Sequence, residues 1–200
     1  MKIYKFGGAS VRNAQGVKNV LEVLRKTEST EDVLLVVSAM GKTTNALERV
    51  VDAVYQGELY KAEDEWNNVL DYHREIAAGL AIEAQAKDIL AEATERRRTA
   101  AHTYGKGDYD QLYDQIVSLG EWISTKLIAA YFNSIGLTMK WIEMATVLRT
   151  DDTFRDAKVD FETSKTLLLK ELEGDYQYAI VQGFIGGTAD GRRTTLGREG

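Results

Sequence analysis

Apolar positions fall into two regimes along the chain. Over residues 1–57 short apolar runs alternate with segments of helical spacing: Lys2–Phe6 reads as a strand, Val17–Leu24 as a helix, Val33–Val37 as a strand and Asn45–Val54 as a helix. The run Val33-Leu34-Leu35-Val36-Val37 shows no polar alternation, which suits a central parallel strand covered on both faces. From 58 to 133 apolar residues recur three and four apart and no strand is credible. Trp66, Val69, Leu70 and Ile76 line one predicted helix; Leu80, Ile82, Ala86, Ile89 and Leu90 line a second. After Gly105-Lys106-Gly107-Asp108 a third runs from about Tyr109 to Asn133. Strand spacing returns at Thr138–Ile142 and Thr146–Leu148, followed by a helix over Glu162–Glu171 and a strand, Tyr178–Val181, that runs into Gly183. The pattern predicts an α/β fold: a layered, mostly parallel sheet with helices on both faces and a helical insertion at about 58–133.

Composition narrows the class. With 200 residues, 44% of them hydrophobic, the chain can bury a sizeable core. A formal net charge of −6 argues against nucleic acid as a partner, since such proteins carry a basic footprint. The absence of cysteine excludes disulfides, thiol catalysis and cysteine zinc sites, and two histidines leave little for a histidine metal centre, so no metal site is expected. The first residues lack the apolar core of a secretory signal and no segment reaches membrane-spanning length, so a cytoplasmic protein without membrane contact is expected. There is no proline, so turns rest on Gly, Asn and Asp.

Five segments could carry chemistry. Lys5-Phe6-Gly7-Gly8-Ala9-Ser10 places a lysine and two glycines at a strand exit, where backbone N–H groups and a helix dipole can meet a phosphate; taken alone, it reads more readily as an ordinary tight turn with a surface lysine. Ser38-Ala39-Met40-Gly41-Lys42-Thr43-Thr44-Asn45 looks like a nucleotide loop but has Val36 where that loop needs its first glycine, so it reads as a polar strand exit with Thr44 or Asn45 as a helix cap. Ser118-Leu119-Gly120-Glu121 puts a glycine inside a helical pattern; either something packs closely against it, with Glu121 solvated, or Glu121 pairs with a ligand ammonium group. Asp151 and Asp152, in Arg149-Thr150-Asp151-Asp152-Thr153-Phe154, read as turn or cap residues. The glycine- and arginine-rich stretch from Gln182 to Gly200 can form a backbone-lined anion pocket; the other reading is a hairpin with exposed arginines. The run Glu95-Arg96-Arg97-Arg98 reads as a solvated helical face.

Taken in order, these segments resemble the aspartate kinases of the amino-acid kinase family along essentially the whole chain. Lys5–Ser10 is similar to the family's Lys-Phe-Gly-Gly-Thr-Ser, Ser118–Glu121 to Ser-x-Gly-Glu, Arg149–Phe154 to Arg-Thr-Asp-Asp-x-Phe, and Thr194–Gly200 to Thr-Thr-Leu-Gly-Arg-x-Gly. Ser38–Asn45 and Gly183-Phe184 resemble the intervening loops. The resemblance implies transfer of the γ-phosphoryl of Mg2+-bound ATP to the side-chain carboxylate of L-aspartate, giving 4-phospho-L-aspartate, the first step toward lysine, threonine and methionine. It implies that Lys5 neutralises the transferred group, that Gly7, Gly8 and Ser10 form the phosphate loop, and that Thr44, Glu121 and Arg198 hold aspartate. Ala9 and Glu199 depart from the family pattern.

The resemblance further implies that residues 1–200 are the N-terminal, aspartate-binding portion of a kinase domain, nearer to monofunctional lysine-sensitive forms, with the nucleotide-binding half and the regulatory ACT domains absent. On that expectation this chain is a truncated, inactive piece of an enzyme that forms homo-oligomers at full length. The alternatives are a kinase for another small carboxylate or a carbamate, and a non-catalytic binding or assembly module.

Overall fold

A computed structural model describes residues 1–26, 31–105, 107–174 and 176–197. Four strands, β1 (Lys2–Phe6), β2 (Val33–Val37), β3 (Met139–Ile142) and β4 (Tyr178–Gln182), form one sheet in the order β1-β2-β4-β3, with every pairing parallel. Helices α1 (Ala14–Lys26), α2 (Thr43–Tyr55), α3 (Leu59–Leu80), α4 (Glu83–Tyr104), α5 (Tyr109–Val117) and α6 (Leu119–Ser134) occupy the chain between β1 and β3. A one-turn helix α7 (Met144–Val147) and α8 (Phe161–Glu171) separate β3 from β4, and an antiparallel hairpin, β5 (Ile185–Gly187) with β6 (Arg193–Thr195), follows.

The uninterrupted apolar run of β2 is used on both faces. Val33, Leu35 and Val37 enter the main core with Leu47, Trp66, Trp122 and Phe132, whereas Leu34 enters a second cluster with Ile142, Val147, Ala179 and Val181. Residues of period two thus face opposite layers, α1 to α6 on one side and α7 with α8 on the other. The expected fold class is the observed one.

Three local expectations are corrected. The predicted helix from Tyr109 to Asn133 is two helices meeting at Ser118, whose Oγ donates to the Gln115 carbonyl. Such a bond competes with the regular ladder and bends the axis. Thr146–Leu148 is not a strand; the segment closes a single turn in which Leu148 N–H reaches the Met144 carbonyl and Gln182 Oε1 caps the Met144 N–H at 2.7 Å. Its apolar side chains are too few to decide between strand and turn without these tertiary partners. Finally, α2 has neither Thr44 nor Asn45 as its cap: Lys42 stands there without a side-chain bond, and Thr43 Oγ1 donates to the Met40 carbonyl.

The arginine run is also only partly solvated. Arg97 is buried against the Trp66 ring and paired with Glu63, and Arg96 lies 4.6 Å over the Trp122 ring while bridging Glu92 and Glu143. Long aliphatic stems and weakly hydrated guanidinium groups make arginine suited to such half-buried positions.

Candidate functional site

Parallel strands deliver their C-terminal ends to one edge of the sheet, and in α/β folds ligands bind outside that edge. Here the exits of β1, β2 and β4 are laced together by backbone hydrogen bonds: Ser38 N–H to the Phe6 carbonyl (3.1 Å), Gly41 N–H to the Gly8 carbonyl (3.0 Å) and Gly183 N–H to the Val37 carbonyl (3.0 Å). Between them lies a cavity of about 260 Å³ lined by Lys5, Gly8, Thr44, Glu121, Tyr113 and Phe184, with Ser38, Ala39, Gly41 and Gly183 as its backbone wall. Residues from 5 to 184 therefore meet in one place, although the chain separates them widely.

Gly8 is required by space. A Cβ there would stand 2.6 Å from the Ala39 carbonyl oxygen, so the first and second loops can approach this closely only without a side chain. Gly120 plays the same part on α6, where a Cβ would meet Ala39 Cβ at 3.0 Å and Leu47 Cδ1 at 3.2 Å. This close approach seats α6 on the second loop and brings Glu121 to the cavity.

Glu121 is 4% exposed, so the reading of a solvated carboxylate does not hold. Its Oε1 accepts from the Ala39 N–H at 3.1 Å, and its Oε2 has no partner among the described residues. Burial pushes the carboxyl up to about 7, against the pull of the backbone N–H groups it faces. A buried acceptor that is half ionised near neutrality is poised to be stabilised by a cation. Lys5, on the same cavity, is exposed and closes no ion pair among the described residues. The site thus offers one carboxylate and one ammonium to a ligand that carries both signs of charge.

The other predicted positions divide. Thr44 lines the cavity. Gly7 and Ser10 form the adjoining turn, closed by the Ser10 N–H to the Gly7 carbonyl at 2.9 Å, without lining the cavity themselves. A Cβ on Gly7 would meet nothing within 4 Å, so this glycine faces open space. Arg198 lies outside the described residues. Asp151 is a turn residue as read, its Oδ1 accepting from Thr153 and Lys158 N–H groups.

Three participants were given no site role from the sequence, although Gly183-Phe184 stood among the matching segments. Phe184 lines the cavity with a positive φ of 69°, unusual for a bulky residue, and its carbonyl accepts from Leu196 N–H. Tyr113 enters from α5 and hydrogen-bonds Glu48. Asp114, beside it, is buried and anchors the segments before and after β5: its oxygens accept from Arg155 N–H, Thr195 N–H and Thr195 Oγ1. The only sequence signal for Asp114 was a carboxylate inside an amphipathic helix, which does not distinguish a buried anchor from a solvated one.

The family model described as the amino acid kinase family matches residues 1–200. The chain belongs to the amino acid kinase family. It is 30% identical over 201 residues to an aspartokinase of Chlamydia muridarum, covering 99% of this chain and 42% of that protein. The crystal structure of Escherichia coli aspartokinase III in complex with lysine and aspartate superimposes with a TM-score of 0.85 at 26% identity, covering 100% of this chain and 44% of the other. The same enzyme in complex with aspartate and ADP gives a TM-score of 0.84 at 26% identity, over 99% of this chain and 44% of that one. The chain therefore spans less than half the length of these aspartokinases. Within this amino acid kinase fold, no helix among the described residues is long and apolar enough to cross a membrane.

Proposed function

We propose that this chain supplies the aspartate-binding portion of an ATP-dependent aspartate kinase. The observation that carries the reading is Glu121: a buried carboxylate with a free oxygen, on the same small cavity as Lys5 and beneath the glycine turn. The ammonium group of L-aspartate would pair with Glu121, with Thr44 as a hydroxyl partner and Arg198 as the guanidinium partner that the family resemblance supplies. The side-chain carboxylate would then point toward Lys5, Gly7 and Gly8. In the reaction a carboxylate oxygen attacks the γ-phosphorus of ATP, the bond to the β-phosphate oxygen breaks, and ADP leaves with 4-phospho-L-aspartate. Lys5 neutralises charge on the transferred group, and catalysis consists of positioning and electrostatic stabilisation.

Among the described residues no group of three or more His, Asp or Glu could hold a metal. The exposed Lys5 ammonium on the cavity fits an anion, and Mg2+ would arrive on the nucleotide phosphates. We extend the proposal to a cytoplasmic, homo-oligomeric full-length enzyme that acts at the head of lysine, threonine and methionine synthesis.

Calorimetry with L-aspartate and with succinate tests the reading. Succinate keeps both carboxylates and lacks the ammonium group, so it is expected to bind at least tenfold more weakly. Equal binding of the two, or no binding of aspartate to the folded chain at millimolar concentration, overturns the proposal. An ATP-coupled hydroxamate assay on the full-length protein, with Lys5→Ala expected to abolish turnover, tests the chemistry.

A further inference from the structure

A second concavity adjoins the candidate site on the outer side of the same loops. About 730 Å³ in volume, it lies between the turn at Arg12 and Asn13, the start of α2 and the flank of α3. Its cations are Arg12, Lys42 and Arg49. Arg49 is neutralised by Glu65, at 2.9 Å. Neither Arg12 nor Lys42 closes an ion pair among the described residues, and Asp71, the next carboxylate along α3, is taken by Arg74 at 2.7 Å. The Tyr72 hydroxyl on this groove is pushed up chiefly by burial and then by the Glu75 charge, against the pull of Arg12.

Two further features add to this surplus of positive charge. The first turn of α2 contains no acidic residue, and Lys42 at its cap makes no side-chain bond, so the positive end of the helix dipole is not offset there. Asn13, Asn45 and Asn68 supply neutral hydrogen-bonding groups along the groove, and Tyr72 and Val69 supply an apolar floor. In a chain of net charge −6, two uncompensated cations on one concave wall are a local inversion of sign.

We propose that this groove is a binding site for a compact polyphosphate anion, distinct from the aspartate cavity. Two exposed cations that the fold brings to one groove from positions 12 and 42, beside an Arg49 already paired with Glu65, match an anion with more than one charged group rather than a single carboxylate. The site is coupled to the first one by construction. Gly41 lines both concavities, at a φ of 57°, and the Tyr72 hydroxyl packs against it while donating to the Arg12 carbonyl. An anion drawn between Arg12 and Lys42 would therefore bear directly on the loop whose Ala39 N–H holds Glu121. The inference does not depend on the aspartate reading.

The test uses inorganic pyrophosphate as the probe, by calorimetry at low ionic strength, and by the amide resonances of Gly41 and Lys42. Lys5→Ala removes the cation of the first cavity and is expected to leave pyrophosphate affinity within about twofold. Arg12→Gln combined with Lys42→Gln is expected to weaken it at least tenfold; both side chains are exposed, and a urea midpoint checks the fold. Raising the salt from 20 to 200 mM provides an independent measurement on the unmutated chain, with an expected loss of about tenfold because exposed charges are screened. Unchanged affinity in the double variant, loss confined to Lys5→Ala, or absence of pyrophosphate binding would each overturn the proposal.

Discussion

Asp114 on α5 accepts two hydrogen bonds from one residue of the terminal hairpin, the Thr195 N–H at 2.9 Å and the Thr195 hydroxyl at 2.6 Å. The same carboxylate accepts the N–H of Arg155 at 3.0 Å, a residue held at a φ of 64°. One buried side chain thus fixes the course of the chain just before Leu196 and Gly197. Asp114→Ala leaves two backbone N–H groups and a hydroxyl without their acceptor, and is expected to cost about 2–4 kcal/mol in urea unfolding. Asp114→Asn is expected to cost less, because its amide can donate to the Thr195 hydroxyl. Equal midpoints for Asp114→Ala and the parent would remove Asp114 from this role.

Glu121 and Asp114 both titrate upward on folding, to about 7 and about 6, in each case chiefly through burial. The folded state then binds more protons than the unfolded one, so their contribution to stability is fully present in acid and is lost as the pH rises from the ordinary carboxylate range through 6 and 7. Glu121→Gln keeps an acceptor for the Ala39 N–H and removes the titration. It is expected to flatten the decline in urea midpoint between pH 5 and pH 8 while weakening aspartate binding at least tenfold. A decline as steep as the parent's would show that Glu121 does not titrate in this range.

Binding of an ammonium group beside Glu121 favours its ionised form and so lowers its proton affinity. Aspartate binding near pH 6.5 is therefore expected to release a fraction of a proton, seen as a binding enthalpy that varies with the ionisation enthalpy of the buffer. Glu121→Gln is expected to abolish that dependence. Net proton uptake by the parent would contradict pairing of Glu121 with the ammonium group.

The paired glycines make opposite predictions. At Gly8 an added Cβ lies 2.6 Å from a backbone oxygen, so Gly8→Ala is expected to destabilise by about 1–3 kcal/mol as the two loops separate. Gly7→Ala meets no neighbour within 4 Å and is expected to leave the melting temperature nearly unchanged. It is nonetheless expected to reduce turnover of the full-length enzyme, because the methyl occupies the approach to the turn. Similar destabilisation by both substitutions would show that the loops adapt to either.

The regular elements were largely legible in the chain because each has a local cause. Val33–Val37 is apolar on both sides, and the bounds of that strand agree with the sequence reading to the residue. Asp108 and Asp160, each followed by helical spacing, cap α5 and α8 by accepting from N–H groups two or three residues on. At Met144–Val147 the local signal is short and the outcome follows from a tertiary partner, Gln182, whereas at Ser118 a local bond to the Gln115 carbonyl divides a continuous helical pattern; the sequence pattern misread both.

For the site, the chain by itself determined which chemistry is carried and on which segments: a lysine with two glycines at a strand exit, hydroxyls at the next, and a carboxylate beside a helical glycine, since these depend on residue type and position along one strand or helix. Only the tertiary structure decided that Lys5, Thr44 and Glu121 share one cavity, that Glu121 is buried with one oxygen free, and that Asp114 anchors Thr195 from 81 positions away. Burial and long-range hydrogen bonding depend on which surfaces meet when the layers pack. A carboxylate in a helix has the same local sequence environment whether its neighbours in space are water or the backbone of a distant hairpin.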